Sequence, residues 1–284
     1  MTMHDFLAKF TGKSERPVSP QASHEVPQGI KIEQLDLTKD VEQVAKLFAD
    51  AFAGPPWNEY TKCGDCSQFT GKDTHAGDKC PHCESGFLSV AYPLEETVEM
   101  VRGASEKPNA TMYVAKQDEA VIGFTWGYSY PTIKDYFDDK SHYSSEVREQ
   151  VRDVLEKNHV TWPIYYGAEL GITEEARGQG LSNSLFEKLV ERAKVLNQPF
   201  VFTTNWQAKP ISLARKFGMQ LILGPESYYD KSTDRIVKTG NVANYIDAQN
   251  PDRILFLKKK EDHTHEEQRF SPRATLRRIL KLSK

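Results

Sequence analysis

Residues 164–182 decide the fold: Ile164-Tyr165-Tyr166-Gly167-Ala168-Glu169-Leu170-Gly171-Ile172-Thr173-Glu174-Glu175-Ala176-Arg177-Gly178-Gln179-Gly180-Leu181-Ser182. The apolar run Ile164 to Ile172 predicts a strand, and Tyr165 and Tyr166 favour extended backbone. Leu181, Leu185, Leu189 and Val190, with Phe186 beside them, recur at helical spacing. Between the two elements lies Arg177-Gly178-Gln179-Gly180, whose glycines allow a sharp turn. A turn of this kind leaves backbone N–H groups exposed at the helix N-terminus. Free donors and the positive end of the helix dipole then converge on one point, which makes an anion site.

The loop lacks the Gly-Lys-Ser/Thr ending of a Walker motif, and Asn183 stands where a dinucleotide fingerprint needs its third glycine. It resembles instead the pyrophosphate loop of the GNAT N-acetyltransferase superfamily, Arg/Gln-x-x-Gly-x-Gly/Ala. Ser182 departs from that pattern, but serine is small enough to keep close approach to a diphosphate.

The rest of the chain bounds the reading. The 284 residues suffice for one large domain or two small ones. A net charge of −3 sets up no global field for nucleic acid or a membrane surface. No apolar run approaches the roughly twenty residues of a membrane helix, and the N-terminus lacks the basic-then-apolar form of a signal peptide. The cytoplasm is therefore the expected compartment. All four cysteines lie between Cys63 and Cys83, so ligands are expected rather than disulfides.

Residues 1–29, polar with several prolines, read as a disordered leader. Ile30 to Leu37 alternates as a first strand, and Asp40 to Phe52 carries a helical apolar stripe that Asp40 or Thr38 can cap. The segment Ala53-Gly54-Pro55-Pro56-Trp57-Asn58-Glu59 stops that helix. Trp57 reads either as a core plug or as a border of a substrate pocket. Cys63-Gly64-Asp65-Cys66 and Cys80-Pro81-His82-Cys83 are two knuckles with thirteen residues between them. Facing knuckles supply the four-sulfur tetrahedron that zinc favours. Almost nothing between them is apolar, so the segment needs a metal staple, and a filled four-thiolate site leaves no open position for catalysis.

Leu94 to Val101 predicts a helix closed by Gly103. Thr111–Ala115 and Val121–Tyr128 predict a hairpin around the turn 117–120, and Ser145 to Asn158 a helix that lies near the acceptor side or simply packs. Pro199 to Thr204 reads as a strand, Ile211 to Phe217 as a short helix ended by a left-handed Gly218, and 221–223 with 253–257 as the last two strands. The tail 261–284 is basic with an apolar side: a solvated terminal helix, or one that touches a partner. The knuckle segment has few aromatics for stacking, so nucleic acid is not the expected partner.

The GNAT resemblance runs from about Ile30 to Lys258. It implies an α/β fold with a mixed central sheet, flanking helices and a small zinc-knuckle insertion. The domain would occupy 30–260, interrupted by the zinc-binding insertion at 60–90 and a helical insertion at 131–160, with the tail 261–284 beyond it. The resemblance implies acetyl-CoA as donor and an amine, on a small molecule or a protein, as acceptor. Leu170, Gly171 and Ile172 would hold the pantetheine arm and the thioester oxygen. Arg177, Gly178, Gln179, Gly180, Leu181 and Ser182 would hold the diphosphate, and Asn205 would touch cofactor or substrate. Glu169, eight residues before Arg177, stands where many members carry an acid that takes the ammonium proton; its plainer reading is a sheet-flanking glutamate. Cys63, Cys66, Cys80 and Cys83 would be zinc ligands. Leu213-Ala214-Arg215-Lys216-Phe217-Gly218 resembles the family's Leu-Tyr-x-x-x-Gly, but Ala214 replaces the tyrosine that protonates the leaving thiolate. Ser212, Tyr228 or Tyr229 could replace it, or no acid is needed. A second reading therefore stays open: a zinc-bearing protein that binds CoA without chemistry.

Overall fold

The computed structural model describes residues 26–260, apart from 56, 142, 206–209, 225–226, 231–234 and 239–252. Most of the expected leader, residues 206–209 after the fifth expected strand, and the basic tail lie outside the described residues. Among the described residues no helix is long and apolar enough to cross a membrane.

The chain runs β1 (Ile30–Gln34), α1 (Val41–Ala53), β2 (Thr61–Cys63), β3 (Phe69–Thr70), β4 (Leu88–Val90), α2 (Leu94–Ser105), β5 (Thr111–Gln117) and β6 (Ala120–Tyr130). It continues with α3 (Ile133–Asp139), α4 (Ser145–Lys157), β7 (Ile164–Ile172), α5 (Leu181–Val195), β8 (Phe200–Asn205), α6 (Pro210–Lys216) and β9 (Gln220–Leu223). The last strands are β10 (Ser227–Asp230), β11 (Arg235–Lys238) and β12 (Arg253–Lys258).

Seven strands form one sheet in the order β1-β5-β6-β7-β8-β12-β9. Its neighbours are antiparallel except β7 and β8, which run parallel because α5 makes the crossover between them. Alternation along the strands separates two faces. Phe124, Trp126, Tyr128 and Tyr130 of β6 pack with α1, α2, α3 and α4. Tyr165, Phe200, Phe202 and Phe256 pack with α5 and α6 on the other face.

The structure corrects several local expectations. Neither Asp40 nor Thr38 caps α1 with its side chain. The Asp40 carboxylate is drawn instead to Lys116 at 2.8 Å and the Asp36 amide at 3.2 Å, and Thr38 donates its hydroxyl to Asp36. Gly103 does not end α2; the helix continues to Ser105 because Ala104 is buried against the core. Helix α3 was not expected: Thr132 starts it with a reciprocal capping box on Asp135, a signal too short to stand out by periodicity. The hairpin β10–β11 is likewise additional. Gly218 does hold the expected left-handed turn, at φ +69°.

Candidate functional site

Strands β7 and β8 pair over three residues only, Tyr165 with Phe200, Tyr166 with Val201 and Gly167 with Phe202. Beyond Gly167 they part. β8 turns to β12, pairing Thr203, Thr204 and Asn205 there, while β7 stays on β6 out to Ile172. Among the described residues the edge of 168–172 that faces away from β6 thus has no strand partner, and its backbone groups line a split in the middle of the sheet.

A β-bulge sits at the vertex of the split. Gly127 pairs with Gly167 and Trp126 with Glu169, so Ala168 is an extra residue. One inserted residue exchanges the two faces of everything after it. Tyr166, opposite Tyr128, and Glu169, opposite Trp126, therefore both lie on the face of α1 and α3. Gly171 follows on the same face, where a Cβ would stand 2.5 Å from Phe124 Cζ and 3.3 Å from Ala51 Cβ. Only glycine lets α1 and Phe124 approach β7 this closely. Leu170 and Ile172 face the opposite way and pack with Leu181 and Leu185 of α5. Thr125 donates its hydroxyl to the Glu169 carbonyl at 2.8 Å and pins the bulge.

At the open end of β7 the loop 173–180 carries the chain to α5. Ala176 is buried as its anchor, and Arg177 is exposed. Gly178 and Gly180 adopt φ +83° and +84° with open space around them, so conformation rather than crowding demands glycine. Gly180 is the N-cap residue of α5, and no acidic side chain occupies the first turn. The Gln179 side chain donates to the Glu175 carbonyl at 3.1 Å. Among the described residues no acceptor meets the backbone N–H groups of 178–182. These amides and the helix dipole form an anion-accepting cradle beside the split.

On the β8 wall the hydroxyls of Thr203 and Thr204 are buried without a hydrogen-bond partner among the described residues. Sequence reasoning passed over them; the available signal was two hydroxyls closing the apolar run Phe200-Val201-Phe202. Asn205 ends β8 with its backbone opposite Arg253. Ala214, where the sequence resemblance leads one to expect a tyrosine, is fully buried in the α5–α6 core. Ser212 is exposed, and Tyr228 and Tyr229 lie in the β10–β11 hairpin.

The cysteine segment forms its own three-stranded sheet, β3-β2-β4. The four Sγ atoms lie within 4.8 Å of one another, with Cys63–Cys83 at 3.7 Å and Cys66–Cys80 at 3.6 Å. Tetrahedral zinc with bonds of about 2.3 Å sets its sulfurs about 3.8 Å apart, so this group could hold a metal ion. Amides of Cys66, His82 and Gly86 donate to the sulfurs of Cys63, Cys80 and Cys83 at 3.3 to 3.5 Å, which favours thiolates. The Ser85 hydroxyl, then the Gly86 and Ser85 amides, lower the Cys83 thiol to about 6. The Gln68 amide lowers Cys66, but burial and the three neighbouring sulfurs outweigh it and raise that thiol to about 12. A Cβ on Gly86 would meet Cys63 Sγ at 2.5 Å, so glycine is needed where the knuckles close.

The module is tied to the sheet domain through Tyr92, which packs edge-on to Phe48 at 4.9 Å and donates its hydroxyl to the buried Glu59. Trp57 is half-buried, its ring 5.3 Å from Phe52 near the end of α1. Ala51, one residue earlier, is the α1 residue that faces Gly171.

No protein-family model and no curated protein sequence matches the chain. Solved structures do resemble it in fold. yncA of Salmonella typhimurium, solved with its cofactor acetyl-CoA, is 10% identical over 84% of this chain and 97% of its own, with a TM-score of 0.45. A GNAT superfamily phosphinothricin acetyltransferase of Sinorhizobium meliloti in complex with acetyl-CoA is 12% identical over 84% of this chain and 92% of its own, with a TM-score of 0.46. A polyamine N-acetyltransferase of Drosophila melanogaster is 14% identical over 80% of this chain and 97% of its own, at 0.45. By its own strand order, its parted β7–β8 pair and the glycine loop that follows, the chain has the mixed α/β fold of the GNAT acyl-CoA N-acyltransferases, with a four-cysteine module inserted after the first helix.

Proposed function

We propose that this protein is an acyl-CoA-dependent N-acetyltransferase that moves an acetyl group from acetyl-CoA to an amine by direct attack. The observation that carries the reading is the split between β7 and β8 with the free-amide loop following it. In this reading the amides of 178–182, with Arg177, hold the diphosphate. The open edge of Leu170, Gly171 and Ile172 pairs with the pantetheine amides and donates an N–H to the thioester oxygen, stabilising the tetrahedral oxyanion. Thr203 and Thr204 supply the facing wall, and Asn205 ends it.

Glu169 takes one proton from the acceptor ammonium, directly or through water. The amine nitrogen then bonds to the acetyl carbon. The C–S bond breaks as the carbonyl reforms, and the second N–H proton passes to the departing thiolate. With Ala214 in place of a tyrosine, water or another group relays that proton, or the thiolate, a good enough leaving group, departs unprotonated and the proton goes to solvent. Holding the two reactants in line supplies much of the rate.

Cys63, Cys66, Cys80 and Cys83 would hold a structural zinc ion, which supplies folding free energy to the module and no chemistry to the reaction. Four reduced thiols suit the cytoplasm. The domain is proposed to span 30–260, with the metal insertion at 60–90 and the helical insertion at 131–160.

Release of CoA thiol from acetyl-CoA across amines, amino acids and peptides tests the proposal. Acceptor-dependent release supports it. Tight acetyl-CoA binding with no release from any acceptor would instead establish the second reading, a CoA-binding protein without chemistry, which the buried Ala214 favours.

A further inference from the structure

In the proposed reaction the thioester arm runs in one direction. Its diphosphate end rests on the amides of 178–182 at the N-terminus of α5, and its backbone partners are Ile172, Gly171 and Leu170 in turn. The reacting end then lies deepest in the split, next to the vertex where Gly167 still pairs with Phe202. On the β8 wall the first residues past that vertex are Thr203 and Thr204. Their strand partners, Leu255 and Ile254, are both on β12, so the side towards β7 is the split itself.

The two threonines face opposite ways. Thr203 follows Val201 by two residues and stands opposite Leu255, both in the core under α1 to α4. Thr204 follows Phe202 by two residues and stands opposite Ile254, both in the α5–α6 core, where Ala214 also lies. The arm arrives from α5, so Thr204 is on its side of the sheet. Thr204 is 1% exposed, and its Oγ1 has no hydrogen-bond partner among the described residues. On the β12 side the Ile254 side chain is hydrocarbon and offers it no acceptor. A buried hydroxyl left unmet costs stability, and a ligand atom that enters the split relieves the cost.

We infer that Thr204 is a catalytic residue: its hydroxyl donates a hydrogen bond to the sulfur of the thioester, a task that the Ala214 methyl group cannot perform. The inference rests on the N-acetyltransferase reading and assigns its leaving-group step. A thioester sulfur is a weak acceptor, whereas the departing thiolate is a charged one. The bond therefore strengthens as the C–S bond breaks, which lowers the barrier rather than only tightening ground-state binding. A hydroxyl is a weaker acid than a thiol, so Thr204 keeps its proton. The electron pair of the C–S bond stays on sulfur, CoA leaves as the thiolate, and the second ammonium proton goes to solvent.

The test is calorimetric titration of the full-length protein with CoA and with desulfo-CoA, in which hydrogen replaces the thiol. The parent is expected to bind CoA about two- to tenfold tighter, the effect of one hydrogen bond, and the ratio should grow as pH rises and the thiol ionises. Thr204→Val should bring the ratio to about one, while Thr204→Ser keeps it. With acetyl-CoA and an amine that the parent acetylates, Thr204→Val should lower kcat at least about tenfold with little change in KM. The ligand-free Thr204→Val protein should unfold at the parental temperature or above it, because a methyl group replaces an unmet hydroxyl. Equal binding of CoA and desulfo-CoA by the parent overturns the inference. So does a preference that survives Thr204→Val, or one that Thr203→Val removes instead, since the arm would then lie on the other face. A fall in the unfolding temperature of ligand-free Thr204→Val also overturns it, because the hydroxyl would have a partner within the folded chain. Each of these results leaves acetyl transfer standing wherever the parent still releases CoA to an acceptor. If the parent binds neither CoA nor desulfo-CoA, the enzymatic reading falls and takes the inference with it.

Discussion

Gly171 shows how much one residue can carry. It sits where Phe124, Ala51 and the cleft edge of β7 converge, and a single methyl group would stand 2.5 Å from Phe124 Cζ. Gly171→Ala is therefore expected to cost about 1–3 kcal/mol of stability, the usual range for overpacking. A thermal unfolding midpoint equal to that of the parent would show that Phe124 moves aside freely. Asp139 is a second such residue. Burial raises its carboxyl, but Lys107 and Tyr130, with the lysine charges, outweigh that and hold it below the ordinary carboxylate value. A depressed folded-state value means that its stabilising contribution is complete above about pH 4. The contribution is lost as pH falls through the folded value. The gap in urea midpoint between the parent and Asp139→Asn should thus be largest near neutrality and shrink below about pH 4. A gap that widens in acid would contradict this account of the ion cluster.

Among the elements, the cysteine module depends most on something beyond its own packing. Its buried apolar cluster is Cys63, Cys80 and Leu88, with Cys66 and Cys83 against it. Three short strands on so small a core cannot offset the conformational entropy of ordering them. One zinc ion per chain is expected by elemental analysis. A strong chelator, or Cys80→Ser, should melt 60–90 in hydrogen exchange while amides of β5 to β8 stay protected. Metal-free protein with an intact, protected module would refute the structural role. The contact through Tyr92 to Phe48 makes a small secondary loosening of α1 the expected echo.

At the scale of the whole molecule, the sheet is two unequal halves joined by the three residue pairs between β7 and β8. A ligand that fills the split bonds to both halves and substitutes for the missing strand pairing. Acetyl-CoA at about a hundred times its Kd should then stabilise the protein by about 2.7 kcal/mol. The matching rise in melting temperature should vanish in Gly180→Trp, whose side chain would occupy the cradle and whose φ of +84° suits only glycine. Metal content in that variant should stay at the parental level, since the module lies elsewhere. An undiminished thermal shift in Gly180→Trp would mean that the nucleotide end is held somewhere else.

Local pattern determined a large share of this. The strand–glycine loop–helix over 164–195, the β5–β6 hairpin, the helix 145–157 and the two cysteine knuckles were each legible in the sequence, because each is fixed by periodicity, turn chemistry or ligand spacing within a few residues. Only the tertiary structure decided which face of the sheet receives Glu169. A one-residue bulge reverses the alternation, and it exists only in the pairing of β7 with β6, where the register shifts at Trp126 and Gly127 and Thr125 holds the Glu169 carbonyl. Nor could periodicity show Lys107 meeting Asp139 across 32 positions, or β12 inserting between β8 and β9. Sequence spacing fixes what neighbours along the chain do; the pairing of distant segments depends on burial summed over the whole core, and that sum exists only once the chain is folded.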